Sequence, residues 1–133
     1  MAKESLDPEG MAPPVGPYAQ VTIAPAGGRL VSCSGAVSIG PDGKIVGEGD
    51  IVAQTRQSME NLKVALQAAG ATFADVVKIN GYVTDFSLYP KIAPVRSEYL
   101  TEPYPASTMV EVSALIFPEL MIEIEAVAVV HDG

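Results

Sequence analysis

Three glutamates, Glu111, Glu123 and Glu125, stand in stretches otherwise made of Ile, Val and Ala within residues 103–130, PYPASTMVEVSALIFPELMIEIEAVAVV. Burying an unpaired carboxylate is expensive, so each needs water, a cation or a task. Glu123 and Glu125 are two apart and share one side of their strand, with Ile122, Ile124, Ala126 and Ala128 on the other. They read either as solvated or ion-paired charges at a surface or subunit contact, or as half-buried acids that hold or deprotonate a water. Tyr18 follows Gly16-Pro17 at the mouth of a strand, where it either packs or lines a pocket. Ser34-Gly35 ends a second strand, as a bulge or as a place where a ligand approaches the backbone. Cys33, beside Val31, reads as a small buried hydrophobe. The single histidine, His131, lies at the tail, which leaves no base for a nucleophilic thiol, no Ser-His-Asp triad and no His/Cys metal site. No glycine-rich phosphate loop follows a strand, since Ala26-Gly27-Gly28 reads as a hairpin turn. Neither a metal nor a cofactor is expected.

The elements that must position these groups are legible in outline. Residues 1–14 carry Pro, Gly and charge without periodicity and are expected to be a loose lead-in. Strands are expected at about 19–23, at 29–35 with a continuation to 39, and at 44–46 after the turn Gly40-Pro41-Asp42-Gly43. Asp50 is a good N-cap for a helix over 51–69 that ends at Gly70, with Val52, Met59, Leu62, Leu66 and Ala69 on one face. Residues 76–84 alternate, placing Val77, Ile79, Gly81 and Val83 on one side and Lys78, Asn80, Tyr82 and Thr84 on the other. Residues 87–100 look helical but carry Pro90 and Pro94, so the helix either starts near Pro94 or is kinked in its first half. Strands at 107–112 and 121–130 complete the order βββ, α, β, α, ββ. That order predicts one α+β domain spanning 1–133, with two helices on one face of a mixed six-stranded sheet. The uncovered face would still show Tyr82, Val110 and Val112, which a small domain seldom leaves in water. A homo-oligomer packed through its sheets follows, with sites between subunits.

Composition narrows the partners. A net charge of −8, from eight basic and sixteen acidic residues, argues against nucleic acid, whose binding draws on Lys and Arg. No run of about 18 apolar residues exists to span a membrane. With one cysteine and no signal-peptide core at the N-terminus, a cytoplasmic protein acting on a small molecule is expected.

Several segments taken together resemble the RidA family, also called YjgF or reactive intermediate deaminases: GPYAQ from Gly16, VSCSG from Val31, QTRQSMENL from Gln54, AAG from Ala68, DVVK from Asp75, Thr84-Asp85, VEV from Val110 and IEIEA from Ile122. The resemblance covers about residues 13–130 in order. It implies a chorismate-mutase-like α+β fold, a homotrimer and clefts between neighbouring subunits. It also implies hydrolysis of enamines or imines such as 2-aminoacrylate to 2-oxo acids and ammonia. In that branch an Arg after Pro-Ala grips the substrate carboxylate, and a Glu on the last strand positions water. Carried onto this chain, Tyr18 would line the cleft with a catalytic part, Ser34 and Gly35 would form its wall, and Glu123 would hold the water. Ser107, Thr108 and Met109 would meet the substrate, with Ser107 in the place of the Arg. A helix position that is often Asn in that branch is here Ala93, next to Pro94. Arg96 is one substitute anchor, although a surface role is expected for it. The implied activity is therefore like that of a 2-iminobutanoate/2-iminopropanoate deaminase, on a substrate other than 2-aminoacrylate that lacks the carboxylate handle. The alternative is a non-catalytic ligand-binding or regulatory trimer. The endoribonuclease name carried by some relatives fits an acidic chain poorly.

Overall fold

The computed structural model describes residues 3–131. Helix α1 (Ile51–Ala68) begins at Asp50, whose carboxylate accepts the Ala53 N–H at 3.1 Å. It stops at Gly70, whose φ of +75° supplies the left-handed cap. Its buried stripe is Ile51, Gln54, Thr55, Ser58, Met59, Leu62 and Leu66. Val52 is not part of it and is 39% exposed. The stripe is centred through Ile51, Thr55 and Met59, and Val52 lies one step round the helix. Helix α2 (Tyr89–Ser97) starts neither at Pro94 nor after it: Pro90 falls in the first turn and Pro94 inside. Pro90, whose carbonyl loses its partner to the missing Pro94 N–H, is exposed, so water can replace the bond.

Strands β3 (Arg29–Val37), β4 (Val76–Val83), β5 (Ala106–Glu111) and β6 (Ile122–Val130) form a four-stranded mixed sheet in the order β3-β6-β4-β5. Only β4 and β5 are parallel. Although β5 and β6 follow each other in sequence, β4 lies between them. The two other strands, β1 (Glu4–Leu6) and β2 (Val21–Ile23), pair as a separate ribbon, so the expected six strands divide into two sheets. Residues 44–46, read as a strand, contribute only the bridge Ile39–Ile45, because turns crowd them on both sides. The missing strand comes instead from the lead-in. Lys3 Nζ donates to the Ala74 carbonyl at 2.7 Å and Ser5 Oγ to the Tyr104 carbonyl at 2.6 Å, which fasten that segment down. Because β2 pairs with β1 and not with β3, Ala26-Gly27-Gly28 turns the chain between sheets and closes no hairpin.

Both helices cover one face of the sheet. Met59, Leu62 and Leu66 of α1, with Ile92 of α2, pack on Ile79, Val83, Ile122, Ile124, Ala126 and Ala128. A bulge between Val76 and Lys78 turns Val76 inward and leaves Val77, expected inside, only partly buried. The opposite face carries Tyr82, Glu123, Glu125, Val127 and Val129, with Leu30 and Val110 beside them at 71% and 42% exposure. Two helices on a mixed sheet, the α+β architecture anticipated, therefore leave one sheet face open.

Candidate functional site

A cavity of about 340 Å³ lies where the Val15–Tyr18 segment, α2 and the start of β5 converge, and Tyr18, Phe86, Tyr89, Arg96, Ser107 and Met109 line it. Alternation along β5 decides which side chains enter. Ser107 and Met109 point to the helix side, whereas Thr108 points the other way and accepts from Lys78 Nζ at 3.1 Å. Tyr18 is placed by the bridge between Ala19 and Ala106 and by the Ala19 N–H donating to the Pro105 carbonyl at 3.0 Å. Its hydroxyl accepts the Val15 N–H at 3.3 Å. Phe86 is held by its backbone N–H, which donates to Glu111 Oε1 at 2.8 Å, so Glu111 fixes a loop. The Phe86 and Tyr89 rings stack with centroids 5.3 Å apart and planes within 7°. They give the cavity a flat aromatic wall.

Arg96 sits deepest. It is 6% exposed, and its Nη2 donates to Ser107 Oγ at 3.1 Å while its buried Nε has no partner. Desolvation by burial pulls its pKa down from the ordinary value, an effect only partly offset by Tyr89. The surface role expected for Arg96 is thus overturned. Ile92 and Arg96 are four apart on one helix face, and that spacing was the signal that could have placed it inward. The chain lacks an Arg at 107 yet brings a guanidinium to Ser107 from a neighbouring element.

Ser34, Gly35 and Glu123 lie elsewhere, on the open sheet face. Glu123 is half-buried and pairs across the sheet with Val37 and Tyr82. Its carboxylate fills the space over Gly35, so any Cβ there would overlap it. Glu125, on the same side, accepts the Tyr82 hydroxyl, and that bond, with burial, raises the Tyr82 pKa. Glu123 has no hydrogen-bond donor among the described residues. The two acids are therefore differently engaged, Glu125 by the Tyr82 hydroxyl and Glu123 by no side-chain donor among the described residues. Cys33 turns toward the core and burial raises its thiol pKa, which fits packing and not nucleophilic attack. Among the described residues no cluster of three or more His, Cys, Asp or Glu could hold a metal ion.

One copy of the chain thus holds two separate groups of the candidate residues, Tyr18, Ser107 and Met109 on the helix side and Ser34, Gly35 and Glu123 across the sheet. It does not bring them together. Arg96, Phe86 and Tyr89 join the first group without having been placed there by sequence.

Residues 9–130 match the family described as Endoribonuclease L-PSP. A RutC family protein from Pyrococcus abyssi is 40% identical over 96% of this chain and 98% of its own length. The chain belongs to the Rid (YjgF) family. Within the Rid family, the 3-aminoacrylate deaminase RutC of Acinetobacter baylyi is 38% identical over 96% of this chain and 98% of its own. A crystal structure of the Rid protein YyfB from Yersinia pestis superimposes with a TM-score of 0.86 at 36% identity, covering 98% of this chain and all of that one (100%). No helix among the described residues is long and apolar enough to cross a membrane.

Proposed function

We propose that this chain hydrolyses the C=N bond of a small imine, or of an enamine after its tautomerisation, in a cleft closed by a second copy. The observation that supports the reading most is the division of the two groups. Glu123 and the aromatic, arginine-lined cavity stand on different sides of one sheet, and the open face that carries Glu123 is apolar enough to be covered. Packing three copies through these faces would set the Glu123 of one against the Tyr18 cavity of the next. The deaminase named among the relatives points to the same chemistry.

The reaction asks for little machinery. A water held by Glu123 gives a proton to the carboxylate as its oxygen bonds to the imine carbon, and the C=N π electrons move to nitrogen. With the imine nitrogen protonated at the start, this gives a neutral carbinolamine. Glu123 returns its proton to that nitrogen to make an ammonium leaving group. The C–N bond breaks as the carbinolamine hydroxyl gives its own proton back to the Glu123 carboxylate and becomes C=O, releasing ammonia. Orientation within the cleft supplies most of the acceleration, since no strong nucleophile is needed. RNA cleavage fits less well, because a chain of net charge −8 repels phosphates.

The test generates a panel of imines with an amino-acid oxidase and follows their capture as semicarbazones. The protein should shorten imine lifetime, and Glu123→Gln should slow it by at least about 100-fold, as expected for a lost general base. No acceleration for any imine, or equal activity in Glu123→Gln, would refute the reading.

A further inference from the structure

We propose that Arg96 is the anion anchor of this cleft, holding a small carboxylate from helix α2 with the help of the Ser107 hydroxyl. This deepens the cleft reading above by naming the chemical class of its ligand. Arg96 is almost wholly buried, lines the cavity, and forms no ion pair among the described residues. Arg56, by contrast, is spoken for by Glu98 at 2.8 Å. A buried guanidinium without a counter-ion is costly, and its one hydrogen bond, to a neutral hydroxyl, offsets little of that. The negative end of α2 eases the charge but leaves Nε without an acceptor. A carboxylate in the cavity would supply what is missing.

The surrounding geometry suits that ligand. Ser107 Oγ accepts from Arg96 and keeps its own proton to give to a second ligand oxygen. The stacked Phe86 and Tyr89 rings offer a flat wall to a planar, conjugated body, and Met109 adds an adaptable apolar surface to the lining. The volume, about 340 Å³, is at the small end for ligand pockets, which run from about 300 to 1,000 Å³. The ligand is thus a compact, flat carboxylate, and the handle thought lost with the Arg at 107 is restored from another element.

The experiment measures binding, so it can fail while hydrolysis is real and succeed while hydrolysis is absent. Calorimetry on the intact protein compares 2-oxobutanoate with its neutral amide, 2-oxobutanamide, for wild type, Arg96→Gln and Arg96→Lys. Wild type should prefer the acid by about 10- to 100-fold, the value of a charge-assisted contact. Arg96→Gln should erase that preference and leave amide binding unchanged, while Arg96→Lys should keep part of it. In wild type the acid, but not the amide, should shift the ¹⁵N resonance of the Arg96 Nε–H. An acid that binds no better than the amide, or an Arg96→Gln variant that weakens both alike, overturns the proposal. If Arg96→Gln does not fold, the resonance decides alone, and an Nε signal unmoved at saturating acid is the contrary result.

Discussion

A guanidinium at position 107 would collide electrostatically with the one already there, because Arg96 Nη2 lies 3.1 Å from Ser107 Oγ. Restoring the Arg of the deaminating branch by Ser107→Arg is therefore expected to lower the melting temperature and not to improve imine hydrolysis. Combining it with Arg96→Met should recover both, since the cavity then holds one positive charge again. Thermal melts and single-turnover assays of the two variants check this, and a Ser107→Arg protein as stable as wild type would speak against a charged cavity floor. The sequence offered Arg96 as one substitute for the Arg absent at 107 but assigned it to the surface. That it is buried against Ser107 shows only once α2 is laid against β5. Glu123 was legible as a candidate through its alternation with Ile122 and Ile124, although alternation alone did not separate it from Glu125. The Tyr82 hydroxyl makes that separation by engaging Glu125.

Among the elements, α1 shows how a helix can organise the segments around it. Gln54, fully buried, donates through Nε2 to the Gly47 and Glu119 carbonyls at 3.1 and 2.9 Å and accepts the Met121 N–H at 2.8 Å. It ties the loop before α1 to the connection that feeds β6, and so to the strand carrying Glu123. Gln54→Ala strands three backbone groups, and urea unfolding should show a loss of about 2–4 kcal/mol, at about 1–3 kcal/mol per unsatisfied buried group with partial rehydration. Val64→Ala on the exposed side of the same helix should change stability by less than about 0.5 kcal/mol. Helix α1 could be read from Asp50, Gly70 and its apolar spacing because each signal is local. The pairing of β1 with β2, and the insertion of β4 between β5 and β6, are long-range choices that no local pattern encodes. Of the two readings the prolines left open in α2, the late start near Pro94 is excluded, since the nine-residue helix begins at Tyr89 and carries Pro94 inside it.

At the scale of the molecule, the open sheet face joins fold and function. It carries Leu30, Val110 and Val129 around the Tyr82, Glu123 and Glu125 cluster, an apolar rim with an acidic centre. The sequence foretold this face, because two helices cannot cover both sides of a sheet. It could not foretell that the acid and the cavity would be separated by that sheet. The most direct measurement is subunit complementation. Glu123→Gln and Tyr18→Ala, each inactive alone, are mixed through reversible unfolding and assayed for imine hydrolysis. With each site shared between copies, random mixing should restore about a quarter of wild-type activity, the fraction of interfaces that keep both intact halves. Mixtures no more active than the parents would contradict a cleft built from two copies.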